Sequence, residues 1–260
     1  MPFHLAGFLE SLDPAGAFVG MAALQDDRVT TQGDNLRVPP QLNRIVALAG
    51  GAENTAAPRI RLTSPTLERF TRYEIAPLNV GAAAAVEPNS PHRIVKLLNA
   101  PLLLGADENL RVDIDSNPAA AQVQWALLWF ANGPIAPVPT GDMFTVRLTG
   151  TTTLVANAWT PCVLTLDDEL PPGRYQIVGM RAQSTGCVAA RIVLREGDQW
   201  RPGCLGTDAE DDLDDTVFRY GNFGVWGEFP FTQLPAVEFL AISADTAEIV
   251  HLDLIRVGNG

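Results

Sequence analysis

Apolar residues along this chain recur mainly at every second position, in short runs cut by Gly, Pro and Asn. A period of two is that of a β-strand with one face turned to a core. In "QVQWALLWFANGP" (Gln122 to Pro134), Val123, Trp125, Leu127 and Trp129 share one face. From Ala126 onward, Leu128 and Phe130 make the other face apolar as well, so the spacing predicts a strand buried on both sides. Asn132-Gly133-Pro134 then stops it.

The same reading predicts strands at "RIVALAG" (44–50), "RIRLTS" (59–64), "RYEIAPLN" (72–79), "RIVKLLN" (93–99) and "LRVDIDSN" (110–117). The last alternates most cleanly, with Leu110, Val112 and Ile114 inward and Arg111, Asp113 and Asp115 outward, as in a half-exposed strand. "SPTLERF" (64–70) places a capping Ser before Pro and a Glu in the first turn, which predicts a short helix. Beyond the midpoint, strands are predicted at "MFTVRLTG" (143–150), "TLVANAW" (153–159), "CVLTL" (162–166), "RYQIVGMRA" (174–182), "CVAARIVLR" (187–195), "FGVWGEFPF" (223–231), "VEFLAIS" (237–243) and "EIVHLDLIRV" (248–257). About eight strands is the complement of a jelly roll, two packed four-stranded sheets.

The first two dozen residues differ. Leu5, Phe8, Leu9 and Leu12, and after Pro14 Ala15, Phe18, Val19 and Ala22, fall at three-and-four spacing. This predicts two short amphipathic helical pieces that must dock on an apolar surface. The densest punctuation, Pro134 to Asp142, is the expected linker. The expected organisation is a helical segment over residues 1–27, a sandwich over 28–133, the linker over 134–142 and a second sandwich over 143–260.

Composition narrows the class. The chain is 47% hydrophobic and only 18% charged, against about 25% charged in an ordinary soluble domain. Surface covered by a partner is one explanation. Gly (22) and Pro (20) are spread throughout, which suits many short strands. A net charge of −12 argues against direct nucleic-acid binding, which relies on Lys and Arg neutralising phosphates. The N-terminus lacks the basic and apolar regions of a signal peptide, so a soluble chain without an export tag is expected.

Candidate chemistry is sparse. His4, His92 and His251 are far apart, and no nucleophile elbow, phosphate-binding loop or zinc-protease helix is present. Cys162, Cys187 and Cys204 read as buried thiols, since neither a CxxC pair nor a neighbouring His supports zinc. The acidic run "GTDAEDDLDD" (206–215) offers carboxylates to a Ca²⁺ ion, but its spacing departs from the alternating-Asp template and the run has no glycine at its turn. Trp200, in a turn-rich segment, is the candidate for an exposed contact with a sugar. No catalytic, cofactor-binding or metal-ligating residue is assigned, no cofactor is expected, and the chain is read as a non-enzyme.

Two strand-rich halves meeting near Pro134 to Asp142, an apolar N-terminal segment "MPFHLAGFLESL", low charge and no catalytic set resemble the double jelly-roll major capsid proteins of tailless icosahedral viruses with an internal membrane. The resemblance is architectural and covers the whole chain. It implies an all-β fold of two jelly-roll-like sandwiches with a short N-terminal helix. It also implies a homotrimer that assembles with itself and other capsid proteins into a shell, no direct contact with nucleic acid, and a place in the virion after synthesis in the host cytoplasm. Residues 1–24 would approach the internal lipid. The alternative from a different class is a carbohydrate-binding sandwich, Ca²⁺-dependent if the acidic run takes an ion.

Overall fold

In the computed structural model, residues 3–26, 28–53, 59–69, 73–75, 94–118, 120–133, 137–194, 200–208 and 217–258 are described. The chain divides into two compact units, one from His4 to Asn132 and one from Gly133 onward. Both are built of strands.

The first unit contains β1 (Phe3–Leu12), β2 (Val19–Gly20), β3 (Thr30–Gln32), β4 (Asn35–Arg37), β5 (Arg44–Ala52), β6 (Arg59–Thr63), β7 (Tyr73–Ile75), β8 (Ile94–Lys96), β9 (Leu102–Leu103), β10 (Asn109–Asp115) and β11 (Gln122–Ala131). One sheet runs β1-β11-β5-β8 and the other β3-β4-β10-β6-β7, with β2 also on β10 and β9 on β5. When β2 to β4 are counted as one position and β8 with β9 as another, the chain has eight strand positions. Their order is 1-8-3-6 in one sheet and 2-7-4-5 in the other, which is the jelly-roll order.

The second unit contains β12 (Met143–Gly150), β13 (Trp159–Cys162), β14 (Leu164–Leu166), β15 (Arg174–Gln183), β16 (Cys187–Val193), β17 (Gly203–Thr207), β18 (Gly227–Pro230), β19 (Ala236–Ala241) and β20 (Glu248–Gly258). The pairings β12-β20-β15-β18 and β13-β19-β16-β17 repeat the same two orders. A parallel pairing of β15 with β17 joins the two sheets along one side, and β14 lies outside β12. The fold is all-β, with a jelly roll in each unit.

The expected N-terminal helix is instead strand β1. Leu5 and Phe8 are fully buried and Leu9 nearly so, and β11 supplies the hydrogen-bonding edge. Because both faces of β1 are covered, its apolar residues need no period of two, and their three-and-four spacing carries no helical meaning. The second expected piece fails for a local reason. Ala15 and Gly16 have φ of 51° and 77°, so the backbone turns after Pro14, Ala17 N–H donates to Pro14 O, and the chain enters β2.

The opening strand behaves as its pattern requires. Trp125, Leu127 and Trp129 are buried on one face, and Leu128 and Phe130 on the other. Opposite Trp125 in the register stands Gly51, where an added Cβ would lie 2.5 Å from Trp125 Cζ2. The indole occupies the space a side chain there would need. "SPTLERF" yields only a 3₁₀ turn, Leu67–Arg69, with Ser64 Oγ accepting from Leu67 N–H as a cap. "TLVANAW" is not a strand: Asn157 is left-handed, at φ 62°, and Leu154 N–H donates to Asp245 O. "RIVALAG" and "CVAARIVLR" form β5 and β16, both interior strands. They need no charged guards because neither is an edge.

Candidate functional site

The groups that could carry chemistry are mostly tied into the two sandwiches. On the second sheet of the first unit, Arg59 and Arg61 of β6 stand in register with Asp115 and Asp113 of β10. Arg61 donates to Asp113 Oδ2 at 3.0 and 2.7 Å, Arg111 also donates to Asp113, and Arg59 pairs with Asp115. The guanidinium groups of Arg59 and Arg61 lie over the Phe18 ring, 4.7 and 4.2 Å from its centre. Asp113 and Asp115 are therefore buried, where the alternation of "LRVDIDSN" puts them in solvent. The covering Phe18 comes from a distant stretch of chain that the strand's own pattern does not reveal.

Two ties in the second unit lie deeper. Asp253 of β20 accepts hydrogen bonds from Arg219 Nε and Nη2, from Thr145 Oγ1 and from Tyr220 N–H. Burial alone would raise its pKa, but the hydrogen bonds and charge of Arg219, with Thr145, override that and hold it below the ordinary carboxylate range. Glu238 of β19 accepts from Arg191 at 2.7 Å and from Arg201 at 2.9 Å. The fully buried Arg191 lies 4.0 Å over the ring of Trp159. Each is a structural clamp, an ion pair satisfied where water is excluded.

Glu248 differs. It is 1% exposed, its Oε2 accepts from Thr152 N–H at 2.9 Å, and its Oε1 has no hydrogen-bond partner among the described residues. Burial pushes its pKa up, and the Thr152 hydrogen bond offsets this only in part.

The remaining sequence candidates are dispersed. His4 is buried, with Nε2 3.4 Å from Asp26 Oδ2. Asp26 also accepts from the Arg28 and Val29 amides, so this pair holds a turn against β1. His251 of β20 stands opposite Arg147 and Arg181 in the neighbouring strands. His92 lies outside the described residues, as does most of the acidic run after Asp208. The three cysteines are buried and form no disulfide. Burial pushes the Cys162 thiol up to about 12 and raises that of Cys187, so neither supplies a thiolate near neutral pH. None of the five tryptophans is exposed; Trp200 is half-buried. Among the described residues no group of three or more His, Cys, Asp or Glu side chains is placed to hold a metal ion, and no helix is long and apolar enough to cross a membrane.

The paired Arg-x-Arg of β6 and Asp-x-Asp of β10 were detectable as complementary charges at the strand period. At Glu238 half of the clamp carries the same kind of signal, since Arg191 of β16 stands opposite it in register. Arg201 and Arg219 come from outside the strands and left no such signal.

No protein-family model and no curated protein matches the chain. Among solved structures, the major capsid protein P2 from bacteriophage PM2 is similar to it over 98% of both chains, at 15% identity and a TM-score of 0.24. Strand order, rather than that superposition, is what bears on function.

Proposed function

We propose that this chain is a viral major capsid protein, a structural building block rather than an enzyme. The observation that carries the reading is the recurrence of one strand order, 1-8-3-6 over 2-7-4-5, in both units of a single chain. Jelly rolls serve as capsid and lectin domains, and two in tandem suit tiling. Three copies would present six jelly rolls around one axis, so a homotrimer fills a hexagonal lattice position. The segment from Pro134 to Asp142 is the connection between the two sandwiches in this reading. The chain's partners are its own copies and other shell proteins, and its place is the virion.

The low charge content fits the same reading. Many of the arginines and carboxylates close clamps within a unit, which leaves fewer of them to solvate an outer surface. A membrane contact through residues 1–24 loses its basis, because Leu5, Phe8 and Leu9 are committed to the core through β1.

The test is mass in solution followed by electron microscopy. Sedimentation velocity over a wide concentration range is expected to show a trimer, and micrographs of concentrated protein are expected to show shells or hexagonal sheets. A protein that stays monomeric, and whose tryptophan fluorescence is quenched by a glycan, would replace this reading with the carbohydrate-binding one.

A further inference from the structure

In the second unit the strands form one continuous order, β13-β19-β16-β17-β15-β20-β12-β14, because β17 pairs with both β16 and β15. The two ends of that order, β13 and β14, are separated in the chain by Val163 alone. The sandwich is thus closed along the β15–β17 side and open along the opposite side, where both terminal strands present edges. Val163 marks this seam and is 82% exposed; Val155, whose N–H donates to Thr160 Oγ1 of β13, is 58% exposed. A shallow groove of about 330 Å³ runs along the seam, lined by Val163 and by threonines of β12, β14 and the loop after β12.

The seam is also uncharged. The 18 residues from Thr149 to Leu166 include no Asp, Glu, Lys, Arg or His. Several other edges are guarded: β18 carries Glu228, paired with Arg174; β8 carries Lys96; and Arg37 beside β3 pairs with Asp107. Soluble proteins usually protect an open edge with charge; at the seam Pro161 interrupts β13, and charge enters only at the far end of β14, where Asp167 pairs with Arg147. Between Pro161 and Asp167 two adjacent edges carry exposed valine and no charge, the character of a surface that associates.

Charge decides the occupant. The second unit holds 17 acidic against 8 basic residues, and the chain as a whole carries −12. Two copies repel each other across any acidic face and approach at least cost where charge is absent. A basic partner would choose an acidic face, and an anionic lipid surface would require Lys or Arg. We propose that the Thr149–Leu166 seam is a self-association surface covered by a second copy of this chain. The proposal rests on the assembly reading above and names the face that assembly uses.

The experiment compares the wild-type chain with Val155→Glu/Val163→Glu and with Leu103→Glu, a control at a 57% exposed apolar residue of the first unit. Near-UV circular dichroism and the thermal midpoint verify folding, and sedimentation velocity reads the mass. The seam variant is expected to sediment as a single chain of 27.9 kDa at concentrations where wild type and Leu103→Glu assemble. Val163→Thr, polar but uncharged, is expected to assemble. Should the double variant lose its fold, Val163→Glu alone is read by the same criterion. A seam variant that assembles like wild type overturns the inference and leaves the assembly reading intact. Equal dissociation by Leu103→Glu also overturns it, because any added charge would then suffice. A wild-type chain that never assembles overturns both.

Discussion

The two units share a strand order and differ in how they are secured. In the first, no strand is shared by the two sheets among the described residues; the stretch after β2 bonds to β10 at Met21 and to β1 only at the isolated Phe8–Ala23 bridge. The Arg–Asp pairs lie on β6 and β10, with Arg59 and Arg111 reaching partly into solvent. In the second, β15 and β17 join the sheets, and the clamps at Asp253 and Glu238 are closed from water. The acidic excess follows the same division, with 13 acidic against 10 basic residues over 4–132 and 17 against 8 from 133 onward. One topology therefore tolerates two strategies. Sheets that meet at one isolated bridge keep their Arg–Asp pairs near the surface, whereas the sheets joined through β15 and β17 bury their clamps.

The comparison is broken most severely at Asp253. Asp253→Ala strands Arg219 in a buried site, and the expected loss is about 3–5 kcal/mol. Asp113→Ala, its counterpart in the first unit, leaves Arg61 and Arg111 free to turn outward and should cost on the order of 1–3 kcal/mol. Urea denaturation of the two variants measures the difference, and equal losses would remove the distinction between the clamps.

Close packing sharpens it next. A Cβ at Gly179 would meet the Arg219 Cα at 2.8 Å and the Phe218 carbonyl oxygen at 2.9 Å, both backbone atoms. At Gly51 it meets only the Trp125 side chain. Gly179→Ala should cost roughly 3 kcal/mol and Gly51→Ala roughly 1 kcal/mol, the upper and lower ends for an overpacked site. Thermal midpoints give the order, and the reverse ranking would contradict it.

The smallest effect is the pH response of the second unit, where two carboxylates act in opposite directions. The folded-state pKa of Asp253 is depressed, so its stabilisation is present above the unfolded-chain value and is lost as pH falls through the folded one. The pKa of Glu248 is raised above 4.5, so the folded state binds the extra proton. Its contribution declines as pH rises from that value through the folded one. Glu248→Gln should flatten this decline and raise the midpoint slightly at neutral pH, measured as thermal midpoint against pH. An unchanged profile would mean that Glu248 is not the source.

Much of the fold was legible because it is written locally. Strands β5, β6, β10 to β12, β15, β16, β19 and β20 each carry β-branched or large apolar residues at the strand period, with turn residues at their ends. Strand β17, "GCLGT", was not, because two glycines and a cysteine show no β-propensity. It exists because β16 and β15 both offer it an edge. Strand β1 was misread for the complementary reason, since burial on both faces erases the period that separates strand from helix. The three thiols are buried, as the absence of a CxxC pair or neighbouring His suggested. The seam was invisible, because β13 and β14 become neighbouring edges only when the last strand pairs with the first.

The sequence by itself determined the all-β class, the two strand-rich halves and the scarcity of reactive groups. These are properties of composition and of short-range period, which act within a few residues. Only the tertiary structure decided which strands are edges, which charges are clamped and which uncharged stretch faces outward. Those depend on pairings between residues as far apart as Thr145 and Asp253, and no local pattern encodes a partner a hundred residues away.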